Sequence, residues 1–158
     1  GIMALPASQE GIESRKLYEE DFTVALPNNH PLGAKTTIKV PDLKGHTLLL
    51  LEDGHCLRDQ ALEVCSRVDV REAEDFRATS LETLRQMVVA GLGITLLPEF
   101  AVDTPFGSQR GLAIRRFANP APSRTVGAVW RKSSTRAPAI AAVCDVVDRV
   151  MTGPASNR

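Results

Sequence analysis

The sequence has 158 residues, 43% of them apolar and 24% charged, and its mean hydropathy is near zero. That is enough to bury an ordinary core and excludes a disordered chain. The 19 basic and 19 acidic residues cancel, which argues against a general nucleic-acid binder.

In chain order, Ile2–Leu5 and Phe22–Leu26 read as short strands. His30 and His46 lie in polar, turn-like surroundings and are expected to be exposed. Leu48–Leu51 is a continuous apolar run, as in a strand buried on both faces. A helix is predicted at about Leu57–Val68, then a short strand around Phe76 and Ala78. Thr79 and Glu82 fit a capping box opening a helix whose apolar face is Leu81, Leu84, Val88 and Leu92. Gly91 suits its left-handed end, and Gly93 permits the turn beyond. Ile94–Leu97 is a further buried strand, and Leu112–Phe117 and Thr125–Trp130 are two more. The last helix is expected from Pro138 to Met151, with Ile140, Val143, Cys144, Val147 and Val150 on its apolar face. Residues 104–111 read as a loop, and Asn119–Ser123 as a loop that could serve as a hinge. This alternation predicts an α/β fold with a mostly parallel sheet.

Charge is unevenly spread. Residues 104–144 carry seven basic side chains and no acidic one, whereas eight acids crowd Glu52–Asp75. The two stretches are either solvated faces of opposite sign or surfaces that meet. No apolar run approaches a membrane span, and the N-terminus has no signal-peptide pattern. With only three cysteines, an intracellular, cytoplasmic protein is expected. The start at Gly1 suggests a fragment.

The most informative stretch is Leu51-Glu52-Asp53-Gly54-His55-Cys56-Leu57-Arg58-Asp59-Gln60, between a buried strand and a helix start. A cysteine there meets unpaired amides and the positive end of a helix dipole, surroundings that activate a thiol. Arg58 and His55 would add positive charge, and Asp53 and Asp59 would oppose it unless they orient those partners. Cys65 falls on the apolar face with Leu57, Ala61, Val64 and Val68, and Cys144 is expected to be an ordinary core residue. Nine residues of helix separate Cys56 from Cys65 by about 13–14 Å and put them on opposite faces. A disulfide needs Cα atoms within about 7 Å. Either none forms, or its formation unwinds the segment. His55, Cys56, Asp59 and Cys65 lack the spacing of a zinc site, so no metal and no cofactor is expected. No G-x-S-x-G elbow or phosphate-cradling glycine loop is present, and Ser80 is more simply a helix cap.

The run Leu50–Leu62 with Cys65, together with Phe76–Arg85 and Gly91–Pro98, resembles the peroxide-sensing transcriptional regulators of the LysR type. The resemblance implies a periplasmic-binding-protein-like (type II) effector domain with two Rossmann-like lobes. Lobe II would be 21–124; lobe I would combine 1–20 with 125–158 and lack its first half. Cys56 would be the peroxidatic cysteine and Cys65 the resolving one, with His55, Arg58 and Asp59 flanking the thiol. The pair would form a reversible disulfide coupled to local refolding, and the helix at Ser80–Val89 would lie at a subunit interface. Implied partners are further copies of the chain in homodimers or homotetramers, hydrogen peroxide, RNA polymerase, and promoter DNA through a helix-turn-helix that this chain lacks; no membrane is implied. Two other readings stay open. One is a LysR-type module holding a small organic ligand between its lobes, with Thr79 and Ser80 at the ligand. The other is a thiol peroxidase, for which unfolding a helix in each cycle is a poor design.

Overall fold

A computed structural model describes residues 1–6, 10–102 and 110–152. The chain divides into two compact units, one of Gly1–Glu20 with Ser123–Arg158 and one of Asp21–Pro122. Strand β1 is Ile2–Ala4, and β2 is a long strand, Ile12–Pro27, that belongs to both units. Strands β3 (Thr37–Ile38) and β4 (Thr47–Leu51) precede helix α1 (Cys56–Cys65). Then follow β5 (Arg71–Ala78), α2 (Leu81–Val89), β6 (Thr95–Pro98) and the short α3 (Glu99–Val102). Strands β7 (Leu112–Phe117) and β8 (Ser123–Arg131) and helix α4 (Ala137–Thr152) complete the described chain. The predicted loop at 104–111 falls mostly outside the described residues.

In the unit of Asp21–Pro122, the second half of β2 pairs antiparallel with β6 (Val24 opposite Leu96) and with β7 (Ala25 opposite Ile114). Strand β3 runs parallel to β7, and β4 runs parallel to β5. Leu48 of β4 bridges Ile94 in parallel, and the Leu49 amide donates to the Ile94 carbonyl at 2.8 Å. The sheet is therefore mixed, which corrects the mostly parallel sheet expected. Apolar runs such as Leu48–Leu51 report burial on both faces and say nothing of strand direction. The core gathers Phe22, Val24, Leu26, Ile38, Leu48, Leu49, Leu84, Val88, Ile94 and Leu97, none more than 1% exposed.

The other unit pairs β1 antiparallel with β8 (Met3 opposite Gly127), with the first half of β2 beside β8. Its core is small: Leu17, Ala128 and Cys144, flanked by Tyr18, Trp130, Ile140 and Val147. Cys144 is buried as expected. Val143 and Val150, placed by their spacing on the apolar face of α4, are instead 58% and 74% exposed.

Strand β2 starts ten residues earlier than Phe22 because its charged first half is matched within the unit. Arg15 pairs with Asp145 and Asp148 of α4, Trp130 Nε1 donates to Glu13, and Arg124 grips the buried Glu20 through Nε and Nη2 at 2.8 and 2.7 Å. Paired charges let a strand look solvated in sequence while lying inside a sheet.

Helix α2 has the Ser80 cap expected of it but departs from the predicted capping box and from the predicted length. Its N-cap is Ser80, whose Oγ accepts the Thr83 amide at 3.1 Å, in place of a Thr79–Glu82 capping box. The helix stops at Val89, short of Leu92, because Gly91 takes φ +81°. The Leu92 amide then donates back to Met87 O and the Gly91 amide to Val88 O, which satisfies the last free carbonyls. Gly93 is needed for a different reason. A Cβ there would stand 2.6 Å from the Thr47 carbonyl oxygen, at the seam where β4 meets the chain leading into β6. The two histidines are also not exposed as expected: both are partly buried, with ring centroids 4.8 Å apart, because His30 caps a 3-10 turn at Pro31–Ala34.

Candidate redox site

The site is built where β4 leaves the core. The chain turns through 52–55, with Gly54 at φ +91° and the Glu52 amide donating to Ala78 O at 3.0 Å. His55 is the N-cap of α1 and makes no side-chain cap bond. Cys56 is thus the first helical residue, beside the free amides of the first turn, and it is exposed. Cys65 is the last helical residue and is 3% exposed, within the core cluster. Both thiols are free. The helix between them is unbroken, so about 13–14 Å of axis separates them. It ends three residues before the predicted Val68, with the Val68 amide donating to Cys65 O. Burial pushes the Cys65 thiol up to about 11.

Of the other site residues read from the sequence, His55 and Asp59 are exposed at the start of α1, where the Asp59 carboxylate suits the helix dipole. Thr79 is exposed, and the Ser80 hydroxyl is occupied by the helix cap. Among the described residues, no three His, Cys, Asp or Glu side chains gather as a metal site.

Arg58 is the buried charge of the site, its side chain 8% exposed. It does not stand as a lone cation near the thiol. Its guanidinium turns back over the end of β4, where Nη1 donates to Leu51 O, Nε meets Asp53 at 2.9 Å and Nη2 meets Glu72 at 2.6 Å. Arg77 closes the set, reaching Asp53 at 2.5 Å and Glu72 at 3.6 Å. The Glu72 hydrogen bond, helped by Asp53, holds the Arg58 guanidinium above its ordinary pKa. Glu72 and Arg77 were not singled out from sequence. Five positions apart on a regular strand, they would face opposite sides about 16 Å apart. Here two steps of β4 (Leu48 to Leu50) span five of β5 (Glu72 to Arg77), and this irregularity brings the two side chains together.

The site thus sets an exposed thiol and a buried thiol at the two ends of one helix in a two-unit α/β chain. The chain belongs to the LysR substrate-binding domain family, whose model matches residues 1–152, and its fold is the type II periplasmic-binding-like one. It is 46% identical over 136 residues to a probable hydrogen peroxide-inducible genes activator of Mycobacterium avium, covering 85% of this chain and 43% of that protein. It is similar to the reduced form of the OxyR regulatory domain of Pseudomonas aeruginosa, with TM-score 0.78, 39% identity, and coverage of 93% of this chain and 70% of that one. The oxidised form of OxyR matches with TM-score 0.81 and 40% identity, over 96% of this chain and 71% of that one. The chain spans less than half the length of the curated relatives it matches. Among the described residues no helix is long and apolar enough to cross a membrane.

Proposed function

We propose that this chain is the regulatory part of a cytoplasmic transcriptional activator that senses hydrogen peroxide through Cys56 and Cys65. The observation that carries the reading is the placement of two free thiols at the two ends of α1, one exposed and one buried, in a chain similar to OxyR regulatory domains solved in reduced and oxidised forms. The Cys56 thiolate attacks one peroxide oxygen, the O–O bond breaks, and the departing hydroxide takes up a proton. Cys56 becomes a sulfenic acid. Cys65 sulfur then attacks Cys56 sulfur, an S–S bond forms and water leaves. The two thiols give up two electrons and peroxide is reduced to two waters. His55 and Asp59 flank the thiol, and Arg58 holds the turn that presents it. Residues 21–124 act as the redox lobe, and 1–20 with 125–158 as part of the other lobe. The domain acts stoichiometrically in a homodimer or homotetramer. Its output is promoter binding through a helix-turn-helix outside this chain, and recruitment of RNA polymerase.

A small organic ligand at Thr79 and Ser80 is the less supported reading, because the Ser80 hydroxyl already serves the helix. The test is one equivalent of hydrogen peroxide, followed by alkylation and peptide mapping. A Cys56–Cys65 disulfide with Cys144 still reduced is expected. Oxidation of Cys144 instead, or of neither partner, sinks the proposal.

A further inference from the structure

We propose that the ring of ion pairs joining Arg58, Asp53, Arg77 and Glu72 is a latch on the dithiol form, so that Glu72 and Arg77 act as positioning residues that set the Cys56–Cys65 redox equilibrium. The inference rests on the disulfide reading above. The ring is closed: each arginine touches both carboxylates, at 2.9 and 2.6 Å for Arg58 and 2.5 and 3.6 Å for Arg77. Its two positive and two negative charges cancel, which is what allows Arg58 to be buried. It ties together three segments: the turn after β4, the first turn of α1, and β5.

Disulfide formation must bring the two Cα atoms from about 13–14 Å to within about 7 Å. One end of α1 has to leave the helix. Cys65 is embedded in the core, whereas Cys56 is exposed, so the N-terminal end moves with the smaller loss of apolar burial. Arg58 lies two residues from Cys56 and moves with it. The ring therefore stands closed in the dithiol form and opens in the disulfide form. Asp53 is 73% exposed and holds little alone; Glu72, at 26%, is the partner whose loss leaves Arg58 buried and undercompensated.

The experiment is a glutathione redox titration of the 158-residue chain, in which the disulfide plus two glutathione thiols gives the dithiol plus glutathione disulfide. For Glu72→Gln, the equilibrium should shift about tenfold toward the protein disulfide, equivalent to about 30 mV. Arg77→Gln should shift it the same way by less, and Glu72→Asp should recover part of the loss. Urea unfolding of each redox form supplies the second readout: Glu72→Gln should weaken the dithiol form and leave the disulfide form unchanged. If Glu72→Gln does not fold, Arg77→Gln, at a site 34% exposed, carries the test. Titrations within twofold of wild type, or equal destabilisation of both redox forms, overturn the latch alone. A wild-type chain that forms no Cys56–Cys65 disulfide overturns the functional reading and the latch with it.

Discussion

Cys56 and Cys65 differ in access and in charge state. A thiol near 11 leaves on the order of one thiolate in ten thousand at pH 7, and Cys65 is shielded as well. Native-state alkylation at pH 7 should therefore label Cys56 first, with Cys65 and Cys144 slower by ~100-fold or more and labelled fully only after unfolding. Comparable labelling of Cys65 would show that its burial is not maintained in solution. The histidine pair has its own signature. Burial, and then His46, hold His30 below the ordinary histidine range, and its Nδ1 accepts the Leu32 amide at 3.2 Å. The folded state thus disfavours the proton that the unfolded chain binds near pH 6.5. Stability is full above that pH and falls as the pH drops toward the lowered folded value, with a slope of at most about 1.4 kcal/mol per pH unit. His30→Asn keeps an acceptor for the Leu32 amide and has no titration. Its unfolding free energy between pH 7 and 5 should decline less steeply than that of wild type. The motif around Cys56 and the apolar face around Cys65 are local features, so both were legible in sequence. The Glu72–Arg77 approach was not, because it depends on an irregular pairing between two strands.

At the scale of elements, α1 has ten residues, shorter than the roughly 12–15 at which isolated helices become even marginally stable. It is held by Leu57, Ala61 and Cys65 in the core and by Arg58 in its ion pairs. Such a helix can be exchanged for another local structure at modest cost. The strands at Ile94–Leu97 and Leu48–Leu51 and the turn at Gly91 were legible, since apolar runs and glycine report local needs. Strand direction and the true length of β2 were not, since both depend on partners distant in sequence. Capping separates two adjacent hydroxyls. Ser80→Ala should cost about 1 kcal/mol in urea unfolding, and Thr79→Ala less than about 0.5. Equal costs would mean that the capping bond to Thr83 does not persist in solution.

For the whole molecule, the two units are unequal in what they bury. The unit of Asp21–Pro122 closes over an extended cluster running from Phe22 to Phe117. The other rests on Leu17, Ala128 and Cys144 and leaves Ile2, Val143, Val146 and Val150 half or more exposed. Opening free energy follows buried apolar contact. In hydrogen exchange, amides of β1 and β8 should exchange at least about tenfold faster than those of β4 and β6. Equal protection would imply that the smaller unit has a second source of stability. Zero net charge, taken from composition, was uninformative at this scale, since the charges that matter are paired one by one: Arg124 with Glu20, Arg15 with Asp145 and Asp148, Arg116 with Glu99.

The span of α1, from one cysteine to the other, has a consequence in time as well as in space. On the peroxide reading, a sulfenic acid formed at Cys56 stays out of reach of Cys65 until the helix lets go. While it waits, a second peroxide can carry it on to the sulfinic acid, which a thiol does not reverse. The two fates compete, one at the fixed frequency of helix opening and the other in proportion to oxidant. The helix thereby works as a clock that defines a dose. Below it, each oxidised chain forms its disulfide and stays recoverable; above it, chains are spent before they can signal.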